Sequence, residues 1–216
     1  MRGKLIVFEG LDRAGKSTQC SRLVKNLEDE GHQVKHMSFP DRSTPIGRMI
    51  DEYLKGDSQQ EDHVIHLLFS ANRWESAASI KAAIEAGIIV VVDRYYYSGC
   101  VYSAAKKNPL LSLRWARQPE VGLPRPDICI FLDISPEAAA QRGGFGQERY
   151  EKNEFQNRVR ELFAELQAAQ HEMEDFVNVY AGESTDLVEA QVSICVQKAI
   201  DRVDAGDLPL KLVEPW

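Results

Sequence analysis

The octapeptide Gly10-Leu-Asp-Arg-Ala-Gly-Lys-Ser17 constrains this chain more than any other stretch. It follows an apolar run, Leu5 to Phe8, and precedes a helix-like stretch from Lys16 to Glu30 that stops at Gly31. Strand, glycine-bearing loop and helix in that order make a cradle for phosphate. The glycines let successive backbone N–H groups curl around an anion, and the helix N-terminus adds its partial positive charge. In such a cradle Lys16 reaches the β- and γ-phosphates of a nucleotide, and the Ser17 hydroxyl is a ligand for Mg²⁺.

The rest of the chain repeats the alternation that this loop demands. Val34 to Phe39 is a second strand candidate, closed by Pro40. Ser58-Gln-Gln-Glu61 has capping-box spacing and opens a long helical stretch carrying Val64, Ile65, Leu68, Phe69 and Ile80, ended by Gly87. Ile88 to Val92 and Ile128 to Leu132 are apolar throughout, as strands covered on both faces are, and each is followed by a carboxylate, Asp93 or Asp133. Phe155, Val159, Leu162, Phe163 and Leu166 mark one helix face, Phe176 to Tyr180 supplies a fifth strand, and Leu187 to Val203 carries a further helical stripe ending at Gly206. The pattern predicts an α/β fold: a five-stranded parallel sheet flanked by helices on both faces, with ligands at the carboxyl ends of the strands. With no repeat or low-complexity linker, residues 1–216 read as one domain.

Composition narrows the function classes. Lys plus Arg number 26 against 33 Asp plus Glu, a net charge of −7, which argues against nucleic acid as the main partner. No apolar run approaches the roughly 20 residues of a membrane-spanning helix. The opening Met1-Arg-Gly-Lys4 leads straight into a short apolar run and lacks the form of a signal peptide, so the expectation is a cytoplasmic or nuclear location. Cys20, Cys100, Cys129 and Cys195 are widely spaced and form no CxxC, which suits reduced core thiols better than zinc ligands or disulfides. Motors, switches, transporters and kinases all use a phosphate loop. The chain has no base-reading N-K-x-D of a GTPase, and 216 residues are few for a large motor, which leaves small-molecule kinases.

A kinase needs a second anion site. Phe39-Pro-Asp-Arg42-Ser-Thr44 puts a guanidinium at the end of the second strand, although an isolated Arg is most often solvated surface. Asp93-Arg94-Tyr95 ends the most apolar strand and fixes a carboxylate and a guanidinium at the sheet edge. Asp93 there is either a turn or cap residue or a contact to Mg²⁺ or water, and Arg94 bridges phosphates. Phe69 and Arg73 lie at i and i+4 on the long helix, so a base could stack on one and hydrogen-bond to the other; on spacing alone a core Phe beside a surface Arg reads more readily. His63 and His66 lack a third ligand at a metal-binding spacing and read as structural. The glycine-rich Arg142-Gly-Gly-Phe-Gly-Gln-Glu-Arg-Tyr150 reads as an exposed turn or as a mobile lid over about 142–150, with Arg142 and Arg149 closing over nucleotide.

In order along the chain, GLDRAGKSTQ, FPDRST, HLLFSANRWE, VVDRYYYSG, YSAAK and GFGQERYE resemble the thymidylate kinases, especially the eukaryotic type with Arg in the phosphate loop. The resemblance is dense from about Lys4 to about Glu151. It implies a P-loop NTPase-like fold and Mg²⁺-dependent transfer of the ATP γ-phosphoryl to dTMP, giving dTDP and ADP, a step in dTTP biosynthesis. It further implies a homodimer, while the net charge and the lack of a spanning run point to neither nucleic acid nor membrane as a partner. Carried over by motif, Arg13, Ala14, Gly15, Lys16, Ser17, Thr18 and Arg142 bind ATP, with Ser17 and Asp93 toward Mg²⁺. Arg13, Lys16, Asp93 and Arg94 form the catalytic set. Asp12, Arg42, Phe69, Arg73, Arg94, Ser98, Gly99, Tyr102 and Tyr150 bind dTMP, Tyr102 standing where many relatives have Phe against the sugar. The alternatives are a P-loop kinase for another nucleoside monophosphate or a deoxynucleoside, and a nucleotide-binding regulatory protein.

Overall fold

The computed structural model describes residues 1–135, 138–139, 150, 153–169 and 172–216. The expected lid, Arg142 included, lies outside the described residues apart from Tyr150. Five strands, β1 (Leu5–Gly10), β2 (Val34–Ser38), β3 (Ile89–Asp93), β4 (Ile128–Asp133) and β5 (Phe176–Tyr180), form one sheet of order β2-β3-β1-β4-β5. Every pairing is parallel. Phe8 lies level with Asp93 on one side and Ile130 on the other, so the phosphate loop and Asp93 leave the sheet at the same edge. The connection from β1 runs outward toward β2 while β4 and β5 extend the sheet the other way, and the crevice where the order reverses lies beside the loop.

The apolar strands are covered on both sides. Leu5 and Val7, with Val90, Val92, Cys129 and Phe131, pack against α3 (Asp62–Glu85), α4 (Tyr96–Ala104) and α6 (Asn153–Ala168) through Ile80, Val101 and Phe163. Ile6 and Phe8, with Val91, Ile130 and Leu132, pack against α1 (Lys16–Asp29) and α7 (Thr185–Gly206) through Leu23, Val188 and Val192. Each such fully buried aliphatic side chain contributes about 1.5–3 kcal/mol relative to exposure. The edge strands β2 and β5 are only partly covered. All four cysteines are free, and three are buried.

Two short helices escape the sequence reading. These are α2 (Pro45–Lys55) and α5 (Leu113–Arg117), the second running into a 3₁₀ turn, Gln118–Glu120. The start of α3 also differs from the expected capping box. Glu61 is itself the N-cap: its carboxylate accepts from the backbone N–H of His63 at 2.7 Å and of Val64 at 3.2 Å. An acceptor so close to the first turn satisfies its orphan donors directly, and Ser58 lies outside the helix. Among the described residues no helix is long and apolar enough to cross a membrane.

Candidate active site

A cleft of about 680 Å³ opens at the carboxyl edge of the sheet, within the usual range for small-molecule sites. Asp12, Arg13, Gly15, Lys16, Ser17, Thr18, Arg42, Phe69, Arg73, Asp93, Arg94, Ser98, Gly99, Tyr102 and Tyr150 all line it. Ala14 is buried behind the loop.

At the loop end, Lys16 is buried and donates to the carbonyls of Gly10 at 3.1 Å and Leu11 at 2.6 Å. Burial, and secondarily the nearby Arg94 guanidinium, lower its pKa to about 8, against the opposing pull of Asp12, Asp93 and Glu9. Ser17 Oγ donates to Asp93 Oδ2 at 2.5 Å. Register explains this meeting: Asp93 ends β3 directly beside Phe8 of β1, and the loop that follows β1 returns Ser17 to the same edge.

Arg94 is the hub of the middle of the cleft. Its backbone is left-handed, φ 64°, a conformation costing a non-glycine residue on the order of 1 kcal/mol and found disproportionately at functional sites. Its side chain pairs with the Asp12 carboxylate, donates to Ser98 Oγ at 2.9 Å, and lies 5.2 Å from the centre of the Tyr102 ring. Beneath it Glu9, fully buried, accepts from the backbone N–H of Tyr95 and of Ser98, each at 2.9 Å, and from Ser98 Oγ at 2.5 Å. Glu9 thereby caps α4, whose own N-cap, Tyr95, supplies no side-chain bond. Burial raises the Glu9 pKa, opposed first by Arg94 and then by the hydrogen bonds it accepts.

At the far end Phe69 and Arg73 of α3 both reach the cleft. Arg73 is not the surface side chain that spacing favours: it is 2% exposed and bonded bidentately to buried Glu120, Nε to Oε2 at 2.9 Å and Nη2 to Oε1 at 2.5 Å. His66 is buried beside it, Nδ1 2.8 Å from Ser103 Oγ. Burial pulls the His66 pKa down to about 4, outweighing the Glu120 charge, so the ring is neutral near pH 7. Arg42, half-exposed, pairs with Asp51 of α2 at 2.6 Å. Tyr150 stacks on Phe155 with centroids 5.0 Å apart, and Gln156 donates to Asp12 at 2.7 Å and to the Tyr150 carbonyl at 3.0 Å.

Sequence reasoning missed Glu9, Glu120 and Gln156. Glu9 had a signal, a lone carboxylate inside an otherwise apolar strand, since acids are rarely buried without a task. Glu120 and Gln156 act across the fold, 47 and 144 residues from their partners, and no local pattern marks them.

A phosphate loop with its Lys and Ser at a parallel-sheet switch point, faced by a second cluster of arginines and a base-sized slot, defines a P-loop phosphotransferase with a nucleotide acceptor. Comparison with known proteins names the acceptor. The family model for thymidylate kinase matches residues 8–192. The chain is 44% identical over 212 residues to thymidylate kinase of Arabidopsis thaliana, covering 98% of this chain and 77% of that one. It is 51% identical over 165 residues to that of Homo sapiens, covering 76% and 77%. The solved structure of thymidylate kinase from Candida albicans superposes with a TM-score of 0.83 at 35% identity, covering 98% of both chains. The chain belongs to the thymidylate kinase family, and it phosphorylates dTMP with ATP.

Proposed function

We propose that one half of the cleft holds ATP and the other dTMP, and that charge positioned between them carries the reaction. The observation that carries this reading is the cluster of Lys16, Ser17, Asp93, Arg94 and Asp12 at one sheet edge, between the phosphate loop and the Phe69–Arg73 slot. Arg13, Ala14, Gly15, Lys16, Ser17 and Thr18 wrap the ATP phosphates, Arg13 contacting the phosphoryl in transit. Arg42 and Arg94 hold the dTMP phosphate. Asp12 reaches the deoxyribose 3′-hydroxyl, Phe69 stacks on thymine, Arg73 donates to its carbonyl, and Ser98, Gly99, Tyr102 and Tyr150 wall the sugar and base. The acceptor is a phosphate oxygen, largely anionic near neutral pH, so no general base is required and catalysis rests on positioning and charge neutralisation. The whole chain acts as one kinase domain.

Ser17 and Asp93 suit Mg²⁺. They offer two hard oxygen donors side by side, and among the described residues no cluster of three or more His, Cys, Asp or Glu could build an all-protein cage. Mg²⁺ characteristically binds through one or two protein oxygens and keeps phosphates and waters for the rest. When bound it neutralises the β- and γ-oxygens. Two copies of the chain associate through the face of α3 where Val64, Leu67 and Trp74 are exposed; a monomer mass by sedimentation equilibrium would overturn that association.

The test is steady-state kinetics of Asp93→Asn with Mg²⁺ and both substrates varied. The expected outcome is a fall in kcat on the order of 100-fold with the dTMP KM within about threefold. A change confined to the dTMP KM would remove Asp93 from the reacting centre.

A further inference from the structure

The guanidinium of Arg73 is held on two sides. Glu120 takes Nε and one hydrogen of Nη2 in a bidentate pair between side chains almost wholly excluded from solvent. A guanidinium carries five N–H donors in one plane, so three remain beyond the two given to Glu120, and Arg73 is among the residues that line the cleft. The second constraint is Gly99 of α4. A Cβ there would lie 2.6 Å from Nη2, 2.9 Å from Nη1 and 3.0 Å from Cζ, so the guanidinium lies directly on the helix backbone in space that only glycine leaves.

Glu120 is itself fixed by its turn. The carbonyl of Pro119 accepts from Trp74 Nε1 at 2.8 Å and from Ser70 Oγ at 3.3 Å, clamping the 3₁₀ turn to α3 on both sides of Arg73. Neutral His66, with Nε2 4.0 Å from Glu120 Oε1, does not compete as a second cation for the carboxylate.

We infer that Glu120 is the positioning residue of the base site, fixing the Arg73 donor fork over Gly99 and thereby setting the preference for a pyrimidine with a carbonyl, over one with an amino group, at the edge the fork meets. This rests on the assignment of Phe69 and Arg73 to the base. A fork that only donates, and that cannot turn, pairs with a carbonyl and leaves an amino group facing N–H groups with no acceptor. Freed from Glu120, the same side chain can swing away and let water or a different base edge in.

The experiment measures kcat and KM for dTMP, dCMP and ATP in the unmodified protein and in Glu120→Gln, Glu120→Asp and Arg73→Ala. Glu120→Gln is expected to raise the dTMP KM about tenfold and to narrow the dTMP/dCMP ratio of kcat/KM about tenfold, with the ATP KM within about twofold. Glu120→Asp, which keeps the charge on a shorter stem, is expected to recover part of the ratio. An unchanged ratio, or KM values for dTMP and ATP rising together, overturns the proposal. If Arg73→Ala narrows the ratio while Glu120→Gln does not, the proposal alone fails; if Arg73→Ala leaves it unchanged, the base-site assignment fails with it. Should Glu120→Gln not fold, Glu120→Asp and Gly99→Ala carry the same readout: both are expected to narrow the ratio, and an unchanged ratio in both overturns the proposal.

Discussion

Lys16 shows how one residue's environment becomes a kinetic property. A lysine in water gives up its proton only near pH ~10.4, but in the folded chain burial, aided by Arg94, brings the pKa to about 8. Below that value the ammonium is available to the nucleotide phosphates; above it the group is neutral and the attraction is lost. The alkaline limb of kcat/KM for ATP, which at saturating dTMP reports the enzyme before ATP binds, is therefore expected to fall through about pH 8. Bound polyphosphate favours the charged form, so the limb of kcat should lie at higher pH. A pH–rate series with ATP varied at saturating dTMP checks both; a flat kcat/KM from pH 7 to about 10 would show that the lysine keeps its ordinary pKa. The place of Lys16 in the phosphate loop was legible from the motif, whereas its altered basicity was not. That property comes from packing and from Arg94, Asp12 and Asp93, which the fold brings to it.

At the scale of elements, α2 shows both what the sequence signals and how readily a signal is passed over. Thr44 caps it through Oγ1, accepting from Gly47 N–H at 3.0 Å, Pro45 opens it, and Gly56 closes it in a left-handed conformation. Ile46, Ile50, Tyr53 and Leu54 face Ile65 and Phe69 of α3 at helical spacing. The five strands and the long helices are legible because their apolar runs are continuous or their stripes long, and a helix of three turns beside a loop motif offers less. Its consequence for the site is steric. A Cβ on Gly47 would lie 1.7 Å from the Asp41 carbonyl oxygen and 2.9 Å from Arg42 Cα, so α2 sits directly against the loop that presents Arg42. Gly47→Ala must push that loop outward. The expected result is a loss of about 1–3 kcal/mol in stability, typical of overpacking, together with a raised dTMP KM and an ATP KM near its original value. Denaturant unfolding and steady-state kinetics on the same preparation read the two effects. Equal rises in both KM values would mean that α2 does not act through Arg42.

Across the whole molecule, the last residues of the chain lie over the segment that carries Glu120. Gly122 N–H donates to the Val213 carbonyl at 2.8 Å, Val213 N–H to the Leu123 carbonyl at 2.9 Å, and Arg125 N–H to the Lys211 carbonyl at 2.9 Å. Arg117, almost wholly buried, pairs with Glu172, donates to the Glu214 carbonyl and lies 5.2 Å from the Trp216 ring centre. Glu172 in turn accepts from Tyr96 OH at 2.9 Å, joining the tail to α4. None of this was legible in the sequence, where a Pro- and Trp-bearing tail has no periodicity and its partners lie about 90 residues away. The tail thus braces the turn on which Arg73 depends, some 140 residues from α3 in the chain. Removing residues 210–216 exposes Leu123, leaves three backbone groups of the 122–125 segment without partners and deprives buried Arg117 of an acceptor. A cost of about 2–4 kcal/mol follows from these losses. Because the loop proposed to hold ATP is anchored on β1 and α1 and makes none of these contacts, the truncated chain is expected to keep its ATP KM while its dTMP KM rises. Thermal unfolding and two-substrate kinetics of the truncation test this. A rise in the ATP KM equal to that for dTMP would mean that the tail supports the fold as a whole and has no particular hold on the base site.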